Sequence, residues 1–151
     1  SHGAFRCPIV PGEKFEDCYL AFSEDEDAGN MQLDAKGQFQ HGYGTAKLSG
    51  RKLALNYELF RNDALAYDKQ KSDTVSICST KSDKKLTVTA RDFPYWGFWT
   101  PDQGGAPFLC IEPWHGHADF VDFTGEFKDR EGSESLLPGN KQTFRYTIQI
   151  G

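Results

Sequence analysis

The chain has 151 residues, of which 38% are hydrophobic and 14% aromatic, so it can bury a core of its own. Its 17 basic and 22 acidic residues give a formal net charge of −5, and the basic residues form no cluster. This balance argues against a general nucleic-acid partner. No apolar stretch approaches the roughly 18 residues that a membrane-spanning helix needs, so no membrane partner is predicted.

Alternation of apolar and polar residues predicts a chain made mainly of β-strands. In chain order, the strand patterns cover residues 15–22, 52–59, 75–77, 86–90, 108–111 and 144–150. The run from Phe108 to Ile111 is continuously apolar, which is typical of a strand buried on both faces. Clusters of Gly, Pro, Asn and Asp separate the patterns, and residues 125–135 form a charged surface loop. The sequence therefore predicts one all-β domain over residues 1–151, an antiparallel β-sandwich or barrel.

The four cysteines, Cys7, Cys18, Cys78 and Cys110, show no C-x-x-C spacing, so they give little support for a zinc site. An even count allows two disulfides. However, Cys110 lies within an apolar strand pattern, where a free buried thiol is common. We expect reduced cysteines and a cytoplasmic protein.

The strongest functional signal lies in residues 107–119, where Glu112 follows the apolar run. Burial at such a place raises the pKa of a carboxylate, which suits a general base. Trp114 comes next and offers a flat face to a sugar ring or another apolar ligand. The alternative is a solvated glutamate at a strand end, beside a tryptophan that only packs.

Two other places combine reactive groups with apolar neighbours. His2 lies close to Phe5, although a histidine near a terminus is often merely exposed. Asp63 follows Asn62, where an aspartate can equally serve as a turn or cap residue. His115 and His117 are two apart and would share one side of a strand, but no third metal ligand is evident. No metal or other cofactor is therefore predicted.

Taken together, these places resemble the carboxyl-terminal half of the aldose 1-epimerase (galactose mutarotase) family, and within it the LacX-like branch. The resemblance covers nearly the whole chain. The segments that carry it stand in family order at residues 2–8, 12–17, 59–65, 110–114, 118–120 and 137–139. The resemblance implies part of a large antiparallel β-sandwich that binds an aldohexose, of the galactose or glucose class, on one sheet and interconverts its α and β anomers.

By this resemblance, Glu112 matches the general base, His2 the general acid, and Asp63 a carboxylate that hydrogen-bonds sugar hydroxyls. Trp114 is expected to pack against the sugar or wall the cleft. His115 is expected either to contact the substrate or to lie at the surface beside the site. Family members are about twice as long, so a missing amino-terminal half or a second copy of the chain is expected to complete the sandwich.

Two alternatives remain open from the sequence. One is an epimerase of a phosphorylated hexose, which would need a basic pocket built from residues such as Arg6, Arg61 or Arg91. The other is a non-catalytic carbohydrate-binding or sugar-sensing module, because the same architecture serves many functions.

Overall fold

The computed structural model describes all residues from 1 to 151 and consists almost entirely of β-strands and loops. The eleven strands are β1 (Gly3–Arg6), β2 (Cys18–Ala28), β3 (Met31–Leu33), β4 (Phe39–Tyr43), β5 (Leu48–Ala54), β6 (Leu65–Tyr67), β7 (Thr74–Ser79), β8 (Lys85–Thr89), β9 (Tyr95–Trp99), β10 (Phe108–Trp114) and β11 (Thr147–Ile150). Three short 3-10 helices cover Phe15–Asp17, Tyr57–Phe60 and Phe127–Asp129.

The strands form two sheets in which every neighbouring pair is antiparallel. The site sheet has six strands in the order β1-β10-β9-β6-β3-β4. The back sheet has five strands in the order β11-β8-β7-β2-β5. This arrangement confirms the predicted all-β antiparallel sandwich.

The main core lies between the two sheets. The back sheet contributes fully buried side chains such as Leu20 and Ile77, and the site sheet contributes Phe98, Leu109 and Ile111. Side chains alternate between the two faces of a strand, so the inward positions of β10 are its odd-numbered ones. Its even-numbered residues therefore project from the opposite face of the site sheet.

The β10 strand is buried along most of its length, as its continuous apolar pattern predicted. It is paired on both sides, with β1 and with β9. On its outward face, Cys110 and Glu112 are only 1% and 5% exposed. A carboxylate is thus held inside a strand, not at its solvated end.

Three predicted strands differ from the observed ones. The pattern at 15–22 begins with the 3-10 helix Phe15–Asp17, and its strand starts only at Cys18. The pattern at 52–59 ends as a strand at Ala54, because the 3-10 helix that follows also buries an apolar side chain, Phe60. The Asn56 side chain caps this helix by accepting a hydrogen bond of 3.1 Å from the Leu59 N–H. The pattern at 144–150 forms a strand only over Thr147–Ile150, and its residues are exposed.

The structure contains no helix that is long and apolar enough to cross a membrane. All four cysteines are free thiols, and Cys7, Cys18 and Cys110 are buried.

Truncating Phe98 to alanine tests the core of the sandwich. The ring is fully buried between the sheets, and it meets Phe22 of the back sheet edge-on at 6.1 Å. We expect Phe98→Ala to lower the free energy of unfolding by about 3–5 kcal/mol in a denaturant titration. Val121→Ala is the control, because that residue is 47% exposed, and its change should stay within about 0.5 kcal/mol. Equal effects of the two variants would contradict this placement of the core.

Candidate active site

The pairing of β1 with β10 brings together two segments that are far apart in the sequence. Gly3 lies opposite Ile111 and Ala4 opposite Cys110, so the next residue outward, His2, reaches Glu112. The Nδ1 atom of His2 lies 3.2 Å from Oε1 of Glu112. An imidazole and a carboxylate separated by more than a hundred residues in sequence thus form a direct pair.

Glu112 is the buried member of this pair, and His2 is the exposed one, with 68% of its side chain accessible. Burial raises the pKa of Glu112 above its ordinary value, because the charged form loses its hydration. Three neighbours oppose this effect: the Trp114 indole donates a hydrogen bond, and the charges of His2 and of the amino-terminal ammonium group favour the charged form. The net direction is upward, so Glu112 is a stronger base than an exposed glutamate.

Trp114 holds the Glu112 carboxylate, a role that was not predicted from the sequence. Its indole N–H donates to Oε2 of Glu112 over 3.0 Å, while Oε1 faces His2. The indole lies across the backbone of β9 at Gly97, the residue paired with Glu112. A Cβ atom at Gly97 would overlap the Trp114 ring. The absence of a side chain at Gly97 is therefore what allows this hydrogen bond.

Asp63 approaches the pair from the loop before β6. Its backbone has φ of 78°, which a residue with a side chain rarely adopts. Its Oδ1 accepts a hydrogen bond of 2.7 Å from the N–H of Ala64, so Asp63 does shape a turn. It also lines the same cavity as Glu112, and its negative charge adds to the rise in the pKa of Glu112.

A cavity of about 470 Å³ holds these groups. That volume lies within the range of small-molecule sites, roughly 300–1,000 Å³. Polar groups of His2, Asp63 and Glu112 meet aromatic rings of Phe39 and Trp99 in its wall. An adjoining cavity of about 580 Å³ shares Asp63 but contains neither Glu112 nor His2. The smaller cavity therefore has the chemically competent lining.

The two histidines after β10 do not share one side, contrary to the alternation expected on a strand. His115 lies outside the cavity, where its Nε2 is 2.5 Å from a carboxylate oxygen of Glu134 and its ring packs on Phe144. The structure therefore does not bring His115 to the other predicted site residues. Gly116 turns the chain between the histidines and packs against Gly132.

His117, which the sequence did not single out as a site residue, lines the cavity and is 2% exposed. The rings of Phe39, Tyr95 and Phe120 all meet its imidazole edge-on. Its Nδ1 donates to the carbonyl of Ala118 over 2.6 Å. Its Nε2 lies 3.6 Å from Glu131, which is longer than a hydrogen bond. The spacing of the two histidines does not predict which of them lines the cavity, because this depends on the turn at Gly116.

Replacing the indole of Trp114 tests its control of Glu112. We expect Trp114→Phe to raise the pKa of Glu112 further, because the ring stays apolar while the donated hydrogen bond is lost. Carbon-13 NMR titration of the Glu112 carboxyl carbon measures this shift. Trp99→Phe is the matched control, since it also removes an indole from the cavity wall. An unchanged pKa in Trp114→Phe would show that the indole does not stabilise the carboxylate.

No family model matches the chain as a whole or in part. The chain is 35% identical over 159 aligned residues to two proteins of Lactococcus lactis subsp. lactis, the chromosomal and the plasmid form of Protein LacX. Each match covers 99% of this chain and 50% of the relative. The chain thus spans about half the length of the curated relatives it matches.

Two solved structures have the same fold, each with a TM-score of 0.85 over 99% of this chain. One is a galactose mutarotase related enzyme from Lactobacillus acidophilus, 27% identical, of which 50% is covered. The other is a galactose mutarotase-like protein from Lactobacillus casei ATCC 334, 19% identical, of which 52% is covered, and it supports the fold alone. The chain is therefore a relative of the LacX proteins with a galactose mutarotase-like fold, which confirms its resemblance to the aldose 1-epimerase family.

Proposed function

We propose that this chain supplies the acid/base pair of an aldose 1-epimerase that interconverts the α and β anomers of an aldohexose. The observation that carries the proposal is the 3.2 Å approach of His2 to a buried Glu112 within a cavity that Asp63 also lines. Anomer interconversion moves protons at two oxygens bonded to one carbon, the C1 hydroxyl oxygen and the ring oxygen. An acid and a base that serve both oxygens must therefore be neighbours, as these two side chains are.

The proposed reaction consists of proton transfers around one ring opening and one ring closure. Glu112 removes the proton of the C1 hydroxyl, and protonated His2 donates a proton to the ring oxygen as its bond to C1 breaks. The open-chain aldehyde then rotates about the C1–C2 bond. On closure, the former ring oxygen attacks the other face of C1, His2 takes back its proton, and Glu112 returns one to the new C1 hydroxyl.

The remaining cavity residues have roles in holding the sugar. Oδ1 of Asp63 is engaged by the Ala64 N–H, which leaves Oδ2 to accept a hydrogen bond from a sugar hydroxyl. Trp114 keeps the Glu112 carboxylate oriented and also forms part of the wall. The apolar rings around the cavity suit the C–H faces of a hexose. We therefore assign substrate binding to Asp63, Trp114 and His117, and not to His115.

The charges around the cavity favour an unphosphorylated hexose. Within this chain, no arginine or lysine lines the cavity. Arg61 is paired with Glu58, and Arg91 is paired with Asp73 at 2.8 Å. A phosphate is usually recognised by unpaired arginine or lysine side chains, which this half of the site does not supply.

A further segment is proposed to cover an apolar surface at the carboxyl end of the chain. Its exposed members are Leu136, Leu137, Phe144, Tyr146, Ile148 and Ile150. Both β1 and β11 lie at sheet edges with one side unpaired. The curated relatives are twice as long as this chain. We therefore propose that the other half of a longer parent protein, of which this chain is one half, covers this surface. The alternative is that a second copy of this chain covers it.

Removing either member of the pair tests the function. We expect Glu112→Gln and His2→Asn each to slow the enzymatic equilibration of α-glucose or α-galactose by about 10²–10⁴-fold, measured by polarimetry on the protein that contains this chain. His41→Gln is the matched control, because His41 is an exposed imidazole paired with Asp122. A parent protein that does not accelerate equilibration over buffer, or a Glu112→Gln variant with full activity, would exclude the proposal.

The same Glu112→Gln variant separates lost chemistry from lost folding. A carboxyl whose pKa is raised by folding favours the folded state at low pH, and this contribution is lost as the pH rises through the folded-state pKa. The glutamine has no such charge to bury. We therefore expect the melting temperature of Glu112→Gln at neutral pH to be at least as high as that of the unsubstituted protein. A large drop would mean that lost activity reflects unfolding.

Comparing a hexose with its 6-phosphate tests the substrate class. We expect the larger kcat/KM for the unphosphorylated sugar, because no cation of this chain lines the cavity. NMR of the anomeric protons measures both rates. A larger kcat/KM for the 6-phosphate would instead support an epimerase of phosphorylated hexoses. Calorimetric binding of hexose without equilibration would instead support a non-catalytic sugar-binding module.

A further inference from the structure

We infer that His2, Cys110 and Glu112 form a binding site for a thiophilic divalent cation of the Zn²⁺ class, which blocks the acid/base pair when bound. Cys110 has no part in the reaction proposed above. The inhibitory effect rests on the proposed function, whereas the binding of the cation rests only on the three side chains.

The three donor atoms already converge. An imidazole nitrogen, the Cys110 sulfur and a Glu112 oxygen all lie within 4.8 Å of one another. Zinc bonds of about 2.0–2.3 Å imply donor separations of roughly 3.3–3.8 Å in a tetrahedral site. Side-chain rotation at the three residues would close the remaining distance of about 1 Å without moving the sheet.

The sheet explains why these donors meet. Cys110 and Glu112 are two residues apart on β10, so they project from the same face. The pairing of β1 with β10 places His2 beside them. Because both residues lie in β10, where Cys110 is paired with β1 and β9 and Glu112 with β9, the backbone positions of two of the three ligands are fixed before any cation arrives.

The surroundings of Glu112 also suit a ligand. Its Oε2 accepts the indole N–H of Trp114, while Oε1 faces His2. A cation can therefore bind Oε1 while the indole keeps the carboxylate in place, as outer hydrogen bonds commonly do for metal ligands. A thiolate and a carboxylate together neutralise a divalent charge, which makes the buried position acceptable.

The ligand set selects the kind of cation. Sulfur and imidazole ligands favour Zn²⁺ and similar borderline or soft ions, whereas Mg²⁺ and Ca²⁺ prefer six or more oxygen ligands. The site is also distinct from the pair of histidines considered from sequence, because His115 is bonded to Glu134 and His117 to the Ala118 carbonyl. The cation would occupy the nitrogen and oxygen that the proposed proton transfers need.

Binding of Co²⁺, a spectroscopic substitute for Zn²⁺, tests the site directly. We expect the protein to bind one Co²⁺ with the absorption of a thiolate-to-cobalt charge transfer, and Cys110→Ser to abolish that absorption. Calorimetry with Zn²⁺ should show at least about tenfold weaker binding for Cys110→Ser and for His2→Asn. Cys78→Ser is the matched control, since it removes a half-buried thiol from the back sheet, and it should change nothing.

The His2→Asn variant keeps the test decisive if Cys110→Ser does not fold, because His2 is exposed. The proposed site would be wrong if the unsubstituted protein showed no charge-transfer absorption with Co²⁺. It would also be wrong if His2→Asn bound Zn²⁺ with the same affinity as the unsubstituted protein. An absorption that disappears in Cys78→Ser would likewise overturn it.

Inhibition is measured separately. We expect Zn²⁺ but not Mg²⁺ to inhibit equilibration of α-glucose, EDTA to restore it, and Cys110→Ser to need at least about tenfold more Zn²⁺ for half inhibition. If the protein binds Co²⁺ through Cys110 but never accelerates equilibration, the proposed function fails and the cation site stands. If equilibration is rapid and unaffected by Zn²⁺, the inhibitory site fails and the function stands.

Discussion

Two segments far apart in the sequence, β1 and the first half of β10, are hydrogen-bonded as antiparallel neighbours, and the candidate site follows from this pairing. The register is held because Leu109 and Ile111 must stay in the core. A slip of one residue would move every side chain of a strand to the other face. The core thus fixes which β10 side chains meet His2, and hydrophobic packing on one face sets the chemistry on the other.

Burial of the Glu112 carboxylate favours its proposed role as a base but disfavours the stability of the fold when the carboxylate is ionised. Burial raises its pKa and makes it a better base, but its ionised form loses hydration. The indole of Trp114 restores one hydrogen bond, and that indole needs the bare backbone of Gly97. A residue on β9 without any functional group is therefore part of the support of a functional group on β10.

Sequence patterns predicted the strands and candidate residues that can be recognised from neighbouring residues. They did not predict features that depend on how distant segments or turns place a residue in the fold. The apolar run 108–111 predicted a doubly buried strand. Apolar neighbours singled out Glu112, His2 and Asp63 as candidates, and the family resemblance predicted their roles. β9 had no such signal, since Pro94 directly precedes its aromatic residues and Gly97 interrupts them, as in a turn. His117 replaces His115 in the cavity only because Gly116 bends the chain, and a two-residue spacing does not encode that bend.

The proposed acid, His2, lies directly before β1, a short strand at the edge of the site sheet, and this position affects how the proposed activity would be lost. β1 has four residues and lies at a sheet edge, whereas β10 is paired on both sides. Short edge strands open locally at a lower free energy than the whole domain unfolds. Opening of β1 would separate His2 from Glu112 while the core stayed packed. A strand added at this edge would therefore raise the fraction of molecules in which the proposed acid and base are paired, even without contributing a side chain to the cavity.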